Sequence, residues 1–279
     1  MTATRLTTRR VDKVWGRHDL WPGFEDPASD AEPVGEIWFQ DPRPGREDPD
    51  LLVKYLFTAE KLSVQVHPDD RMAQSMGMPR GKDEAWIVLA AEPGATIGIG
   101  LTRTLTHDEL RAAALDGSIE DLLDWRPMAP GDVYYSASGT IHAIGAGVTL
   151  VEIQQNSDTT FRLYDYGRPR ELHLEESLAA SHPEPYVNPH VVRDVAPGRT
   201  LLCDGPAFVL ERWTGSNAAD LPAASGPFWV VPLASSGDAS GEPLSAGGTW
   251  LLEDGARLSL DADADLLLAY KGGQVMTLS

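Results

Sequence analysis

The chain has 279 residues and a formal net charge of −19, from 42 acidic and 23 basic side chains. Nucleic acid would repel such an acidic protein unless it carried a strong local basic patch, so no nucleic-acid partner is expected. The single cysteine, Cys203, excludes an intrachain disulfide and suits a reducing compartment.

The opening residues, MTATRLTTRR, are polar and contain no apolar stretch of the kind that a secretory signal requires. No apolar run in the chain approaches the length needed to span a bilayer. We therefore expect a soluble, cytoplasmic protein with no membrane partner.

Short apolar runs separated by Pro, Gly and Asp dominate the chain as far as about residue 165. Runs of this length and spacing predict the strands of a β-sandwich or barrel, and hence an all-β fold. The predicted strands are VGEIWF (34–39), LLVKYLF (51–57), LSVQVH (62–67), EAWIVLA (84–90), ATIGIG (95–100), DVYYSA (132–137) and TLVEIQQ (149–155).

A short helical interruption is predicted at about 105–125. Thr106 and Glu109 have the spacing of a capping box, and Gly117 can end the helix that they begin. Another short helix is predicted within ELHLEESLAA (171–180).

The character of the chain changes after His190, because all seven histidines lie at or before that position. We expect a catalytic domain over 1–180 and a metal-free C-terminal β domain over 181–279, which contributes packing rather than chemistry. The predicted strands of the C-terminal domain are FVLERW (208–213), FWVVPL (228–233), TWLLED (249–254) and DLLLAY (265–270).

The segment KLSVQVHPDD (61–70) alternates polar and apolar residues before Pro68 ends the predicted strand. Ser63, Gln65 and His67 therefore share one face. Such a face is either a solvated surface or a binding site inside a barrel, and the alternation alone does not distinguish the two.

Four polar side chains are candidates for one metal site: Gln65, His67, Glu84 and His142. Gln65 and His67 project from the same side of their strand because they are two residues apart. A lone histidine is more often a surface or core residue than a ligand, so the prediction depends on the whole set.

The chain resembles the type I phosphomannose isomerases (mannose-6-phosphate isomerases), in particular their short bacterial form. The family's motifs occur in the family's order and at compatible spacing over roughly the first two thirds of the chain. The matching motifs are VGEIW (34–38), LLVK (51–54), LSVQVHPDD (62–70), GKDEAW (81–86), GTIHAI (139–144) and VEIQQNSDTTFRLYDYGR (151–168).

This resemblance implies a fold of two cupin-type β-barrels, a bicupin of jelly-roll type, and one Zn2+ ion per chain. It also implies a zinc-dependent aldose–ketose isomerase that interconverts mannose 6-phosphate and fructose 6-phosphate. The metal ligands that it implies are Gln65, His67, Glu84 and His142, so the polar strand face would point into a barrel.

Further roles follow from the resemblance, residue by residue. Arg162 matches the family's catalytic arginine, and Lys82 and Asp158 match residues placed in its active site. Lys54 and Ser63 match positions that hold the phosphorylated hexose substrate. The sequence leaves open which of Lys82, Asp158 and Glu152 moves the proton, and it does not predict the oligomeric state.

The implied ligand set suits the implied reaction. Aldose–ketose isomerisation passes through an enediolate, whose negative charge needs a Lewis acid or cationic donors. Two neutral imidazoles, one amide and one carboxylate leave a divalent zinc ion with a formal charge of +1. Redox-inert zinc also suits a reaction with no net electron exchange.

Two departures from the family pattern bear on which sugar fits. Tyr166 stands where the family usually has tryptophan, and Ser136 and Ser138 flank a stretch that is typically Pro-Ala-Gly.

The alternative functions are an isomerase for a different sugar phosphate, a non-catalytic sugar-phosphate-binding cupin, or a cupin iron dioxygenase. The last is disfavoured because such iron sites usually have three histidines, or two and a carboxylate, with open positions for oxygen.

Overall fold

Twenty-two strands, all paired in antiparallel fashion, form the framework of the computed structural model, which describes residues 2–20, 23–46, 49–234, 237–253 and 255–278. The first twelve strands are β1 (Thr2–Arg5), β2 (Thr7–Arg17), β3 (Val34–Gln40), β4 (Leu51–Thr58), β5 (Val64–Val66), β6 (Glu84–Ala91), β7 (Thr96–Leu101), β8 (Leu123–Pro127), β9 (Val133–Ser136), β10 (His142–Ile144), β11 (Val148–Gln155) and β12 (Phe161–Tyr164). The other ten are β13 (Arg193–Ala196), β14 (Arg199–Asp204), β15 (Phe208–Thr214), β16 (Asn217–Leu221), β17 (Phe228–Pro232), β18 (Asp238–Ala239), β19 (Glu242–Pro243), β20 (Trp250–Glu253), β21 (Ala256–Leu260) and β22 (Asp265–Lys271).

These strands form four sheets. Sheet 1 has the order β2-β3-β4-β11-β6-β9, and sheet 2 has the order β12-β5-β10-β7-β8. Sheet 3 has the order β1-β20-β17-β22-β15-β14-β13, and sheet 4 has the order β16-β21-β18-β19. The all-β fold class predicted from the sequence is confirmed.

The sheets stack face to face in the order sheet 2, sheet 1, sheet 3, sheet 4. A buried cluster that includes Tyr55 and Trp229 joins sheet 1 to sheet 3. A second cluster, around Trp213, fills the space between sheets 3 and 4, and a third, around Trp86, joins sheet 1 to sheet 2. Sheet 1 is therefore covered on both faces, which explains why every residue of β4 is buried.

Four α-helices lie among the described residues: α1 (Asp70–Ser75), α2 (His107–Asp116), α3 (Ile119–Leu122) and α4 (Leu174–Ala180). A buried cluster packs α2, α3 and α4 against the outer face of sheet 2. The capping box of Thr106 and Glu109 is present, and Gly117 ends α2 with a φ of 86°, a left-handed conformation that glycine adopts without strain. None of the helices in the described part of the chain is long and apolar enough to cross a membrane.

The predicted strands all occur, although their ends differ by a few residues. The run at 62–67 forms a shorter strand, β5, and the last residue of the run at 249–254 lies outside the described residues. The polar opening forms β1 and β2, which were not predicted. Because β1 pairs with β20, residues 2–5 extend the sheet built by the C-terminal strands. The division at 180 and 181 stays a prediction.

Candidate metal centre and adjoining cavity

Sheet 2 brings three of the predicted site residues side by side. His142 in β10 and Arg162 in β12 are both cross-strand partners of Gln65 in β5. Directly opposed residues of antiparallel strands point to the same face. The chain therefore presents an imidazole, an amide and a guanidinium in one row.

Sheet 1 supplies the facing polar side chains. Its apolar residues alternate toward sheet 3, so the residues between them point toward sheet 2. Glu84 in β6 and the Lys54 and Glu152 pair on β4 and β11 lie on this inner face, and all three are buried. The site is thus built between sheets 1 and 2.

His67, Glu84 and His142 form a buried cluster whose candidate ligand atoms all lie within 4.8 Å of one another. Glu84 Oε2 is 3.3 Å from His67 Nε2 and 3.7 Å from His142 Nε2. Two imidazoles and a carboxylate at this spacing can hold one metal ion.

Backbone carbonyls orient both histidines. His67 Nδ1 donates to the carbonyl oxygen of Thr159, and His142 Nδ1 donates to that of Thr140, each at 3.0 Å. Because a carbonyl can only accept, the proton sits on Nδ1 and the lone pair on Nε2 faces Glu84. Buried His67 Nε2 makes no hydrogen bond within the described part of the chain, which leaves it available as a ligand.

The charges in the cluster favour the ligand forms of all three groups. Burial lowers the pKa of both histidines, to about 3 for His142, so both imidazoles are neutral near pH 7. Burial opposes ionisation of Glu84, but the neighbouring His67 ring and the ammonium group of Lys82 outweigh it and hold the pKa of Glu84 well below its usual value. Neutral histidine and ionised carboxylate are the forms that bind zinc.

Gln65, the fourth ligand that the sequence predicted, lies next to His142. Its amide nitrogen is 3.2 Å from His142 Nε2, and its Oε1 accepts a hydrogen bond from Ser63 Oγ at 3.4 Å. Turning the amide by 180° exchanges its nitrogen and oxygen without changing its shape. In that orientation Oε1 faces the lone pair of His142 Nε2, an arrangement that a cation between the two atoms would stabilise.

The other predicted residues differ in how closely they approach the cluster. Buried Lys82 lies just before β6, and its Nζ is 2.8 Å from Glu84 Oε1. Asp158 follows β11 in a loop and is exposed at the wall of the adjoining cavity. Lys82 can therefore contact a group bound at the cluster directly, whereas Asp158 stands farther out.

Lys54 belongs to a buried network of ion pairs rather than to the cluster of His67, Glu84 and His142. Its Nζ is 3.3 Å from Glu152, 3.8 Å from Glu36 and 4.4 Å from the centre of the Trp38 ring. Burial disfavours its charge, but Glu152 and Glu36 outweigh that effect and raise its pKa above the usual value. Lys54 therefore stays protonated near neutral pH.

A cavity of about 260 Å3 adjoins the cluster. Of the nine predicted site residues, six line it: Lys54, Ser63, Gln65, Lys82, Asp158 and Arg162. His67, Glu84 and His142 are not among the residues that line this cavity. Further charged residues that were not predicted from the sequence also line it: Lys13, Glu36 and Arg170. Glu36 could have been found, because it alternates with Ile37 in the VGEIW motif and so faces the same side as Trp38.

A larger cavity of about 580 Å3 lies along the same face of sheet 1, past Trp38 and Asp158. None of the four predicted metal ligands lines it. The smaller cavity is therefore the better candidate site, because of the side chains that line it and not because of its volume.

The chain is similar to mannose-6-phosphate isomerases. It is 36% identical to that of Streptococcus mutans over 196 residues, which cover 67% of this chain and 61% of the relative. The match thus spans about three fifths of the length of that curated relative. No protein-family model matches the chain.

Solved structures show the same fold. A crystal structure of the mannose 6-phosphate isomerase of Bacillus subtilis superposes with a TM-score of 0.81 at 27% identity, over 96% of this chain and 99% of that one. A zinc-bound mannose 6-phosphate isomerase superposes with a TM-score of 0.72 at 14% identity, over 98% of this chain and 100% of that one. The all-β fold of four sheets is therefore that of the solved isomerases.

Proposed function

The chain belongs to the mannose-6-phosphate isomerase family, and from this premise we propose that it interconverts mannose 6-phosphate and fructose 6-phosphate. The observation that carries the proposal is the buried cluster of His67, Glu84 and His142 beside a cavity lined by lysines and arginines. The cluster suits a metal, and the cationic wall suits a phosphorylated sugar.

The metal that we propose is one Zn2+ ion per chain, held by His67, Glu84, His142 and Gln65. This set offers two neutral imidazoles held by backbone carbonyls, a buried carboxylate and an amide. Nitrogen and oxygen donors of these kinds fit zinc. When bound, zinc supplies positive charge that stabilises the enediolate.

The chain's own residues bind and orient the substrate in this proposal. Lys54 and Ser63 hold the sugar on the cavity wall, since both are buried beside it. Arg162 stays charged and stands next to Gln65, so its guanidinium can donate to oxygens of the substrate or of the enediolate.

Proton transfer between carbons 1 and 2 needs a group that can move a proton beside the cluster. Lys82 is the better placed candidate, because its Nζ is 2.8 Å from Glu84 and buried. Asp158 is exposed at the cavity wall and can serve as the alternative carrier. Glu152 is buried opposite Lys54 on the neighbouring strand. Burial and the charge of Glu84 raise the pKa of Glu152, which favours its protonated form and makes it a third candidate carrier.

A coupled assay of fructose 6-phosphate formation from mannose 6-phosphate tests the proposal, with other aldose phosphates run in parallel. Turnover of mannose 6-phosphate in preference to the others supports it. Turnover of another aldose phosphate instead would assign a different sugar. Tight binding of mannose 6-phosphate without turnover in zinc-loaded protein would indicate a non-catalytic binder.

A further inference from the structure

Two of three neighbouring arginines bind one carboxylate where the chain leaves β12. Asp165 is almost fully buried, and its oxygens accept hydrogen bonds from Arg170 Nε at 2.6 Å and from Arg170 Nη2 at 2.7 Å. Arg168 donates to the same carboxylate at 3.0 Å. Arg162, in the strand itself, makes no ion pair with Asp165 among the described residues, so this carboxylate is shared by Arg168 and Arg170.

Two of these arginines face the cavity beside the metal cluster. Arg162 and Arg170 line it, whereas Arg168 does not and instead contacts Glu60 and the carbonyl oxygen of Lys61. Arg170 uses Nε and Nη2 on Asp165, and its Nη1 makes no hydrogen bond to any described residue. One donor edge of Arg170 is therefore free.

Arg162 has no carboxylate within 4 Å among the described residues. Its Nε is buried without a hydrogen bond, and its Nη1 donates only to the carbonyl oxygen of Glu171. Burial and the charge of Arg170 lower the pKa of Arg162, which indicates that the two guanidinium groups repel each other. An anion bound between them would relieve that repulsion.

The lysines of the cavity are neutralised by comparison. Lys54 lies near Glu152 and Glu36, and Lys13 is 3.2 Å from Glu36. Lys82 is paired with Glu84. Among the described basic residues that line the cavity, Arg162 thus lacks a carboxylate within 4 Å, and Arg170 shares its carboxylate, Asp165, with Arg168.

We propose that Arg170 binds the phosphate group of the sugar phosphate, and that Asp165 is the positioning residue that holds its guanidinium toward the cavity. The proposal rests on the proposed function, because it concerns the substrate of that same site. Guanidinium groups suit this role, since they bind phosphate through two parallel hydrogen bonds.

This assignment also orients the substrate. Arg162 pairs with Gln65 across the strands and so stands beside the metal cluster, while no hydrogen bond or ion pair joins Arg170 to the cluster among the described residues. Carbons 1 and 2, which react, lie at the opposite end of the sugar from the phosphate on carbon 6. The sugar would extend from the cluster, past Arg162, to Arg170.

Arg170→Gln and Arg168→Gln test the proposal as a matched pair, because both arginines bind Asp165 and only Arg170 lines the cavity. The probe is mannitol 6-phosphate, which has no carbonyl group to isomerise, titrated calorimetrically into zinc-loaded protein with mannitol as the uncharged comparison. We expect Arg170→Gln to weaken mannitol 6-phosphate binding about tenfold to hundredfold, the usual cost of a lost charged hydrogen bond. Arg168→Gln is expected to change it by less than about threefold.

Equal affinities in Arg170→Gln and wild type, or equal losses in the two variants, would overturn the proposal. If Arg170→Gln does not fold by circular dichroism, Arg170→Lys and Arg168→Lys decide in the same way, since lysine keeps the charge and loses the fork. Phosphate binding that depends on Arg170 in a protein without isomerase activity would sink the proposed function and leave this inference standing. Isomerase activity together with mannitol 6-phosphate binding that does not depend on Arg170 would overturn this inference and leave the proposed function standing.

Discussion

In His67 and His142, the hydrogen bond made by Nδ1 determines whether Nε2 can bind a metal. Because Thr159 and Thr140 fix the proton on Nδ1, both Nε2 atoms point into the cluster in the form that binds a metal. His142→Ala should therefore lower zinc affinity by more than the about 10-fold to 100-fold that is typical when an outer-shell partner is lost. The measurement is a competition titration with a chromogenic chelator.

His107→Ala is the control for that variant, because His107 is exposed at the start of α2. It should bind zinc like the wild type. Unchanged zinc affinity in folded His142→Ala protein would rule out His142 as a ligand.

Arg162 is expected to contribute more than a single contact. Arg162→Ala should lower kcat/KM by more than about a hundredfold if the guanidinium also stabilises the enediolate, since transition-state charge is then lost along with substrate binding. Arg162→Lys should recover only part of the loss, because an ammonium group cannot reproduce the planar fork. Steady-state kinetics with zinc content measured on the same samples tests both variants, and a near-normal kcat in Arg162→Ala would show a structural role only.

At the scale of single residues, the motifs predicted the cluster better than they predicted the cavity. His67, Glu84 and His142 were named from the sequence and lie together in the fold. Arg170 was not named, because its position depends on how the turn after β12 folds around buried Asp165. Neither alternation nor spacing in the sequence reports that contact.

Helix α2 shows how far local signals determine an element. Thr106 Oγ1 accepts from the backbone nitrogen of Glu109, and the Glu109 carboxylate accepts from the backbone nitrogen of Thr106. Thr106→Ala should reduce the free energy of unfolding by about 1 kcal/mol, the usual cost of removing an N-cap side chain. Urea denaturation measures this.

Thr104→Ala provides the comparison, since Thr104 is exposed and precedes the cap. It should change the free energy of unfolding by no more than about 0.5 kcal/mol. Equal effects of the two substitutions would show that the cap does not stabilise α2.

The strands that were predicted have apolar runs or alternation, but β14 and β21, which also carry apolar runs or alternation, were missed. β2 is an edge strand of sheet 1 whose first residues are exposed, so it carries little apolar pattern to detect. β5 is shorter than the alternation at 62–67 predicted, although its face was predicted correctly. Pairing with β10 and β12, which the sequence does not reveal, sets its ends.

At the scale of the whole molecule, the C-terminal sheets support the site from outside. Tyr135 in β9 donates to Asp83 Oδ2 at 2.6 Å, and Asp83 lies between Lys82 and Glu84. Gly205, from the turn after β14, packs so close to the Tyr135 hydroxyl that an added Cβ would lie 2.3 Å from it. Sheet 3 thus restrains the residue that anchors the segment carrying Lys82 and Glu84.

Tyr135→Phe should therefore destabilise the protein by about 1.5–3 kcal/mol, because a buried carboxylate loses a hydrogen bond, and should also weaken zinc binding. Tyr134→Phe is the matched control, since the Tyr134 hydroxyl has only long hydrogen bonds, at 3.3 and 3.4 Å. Thermal melting and the chelator titration measure the two effects. Loss of stability without loss of zinc affinity would show that the contact only supports the fold.

We expect isomerisation to depend on one zinc ion held by the cluster of His67, Glu84 and His142. The most direct test measures bound metal and the rate of fructose 6-phosphate formation in the same sample, through chelation and stepwise return of zinc. We expect the rate to fall to background as zinc is removed, and to recover in proportion to bound zinc up to one ion per chain. Full activity in demonstrably metal-free protein would contradict the account.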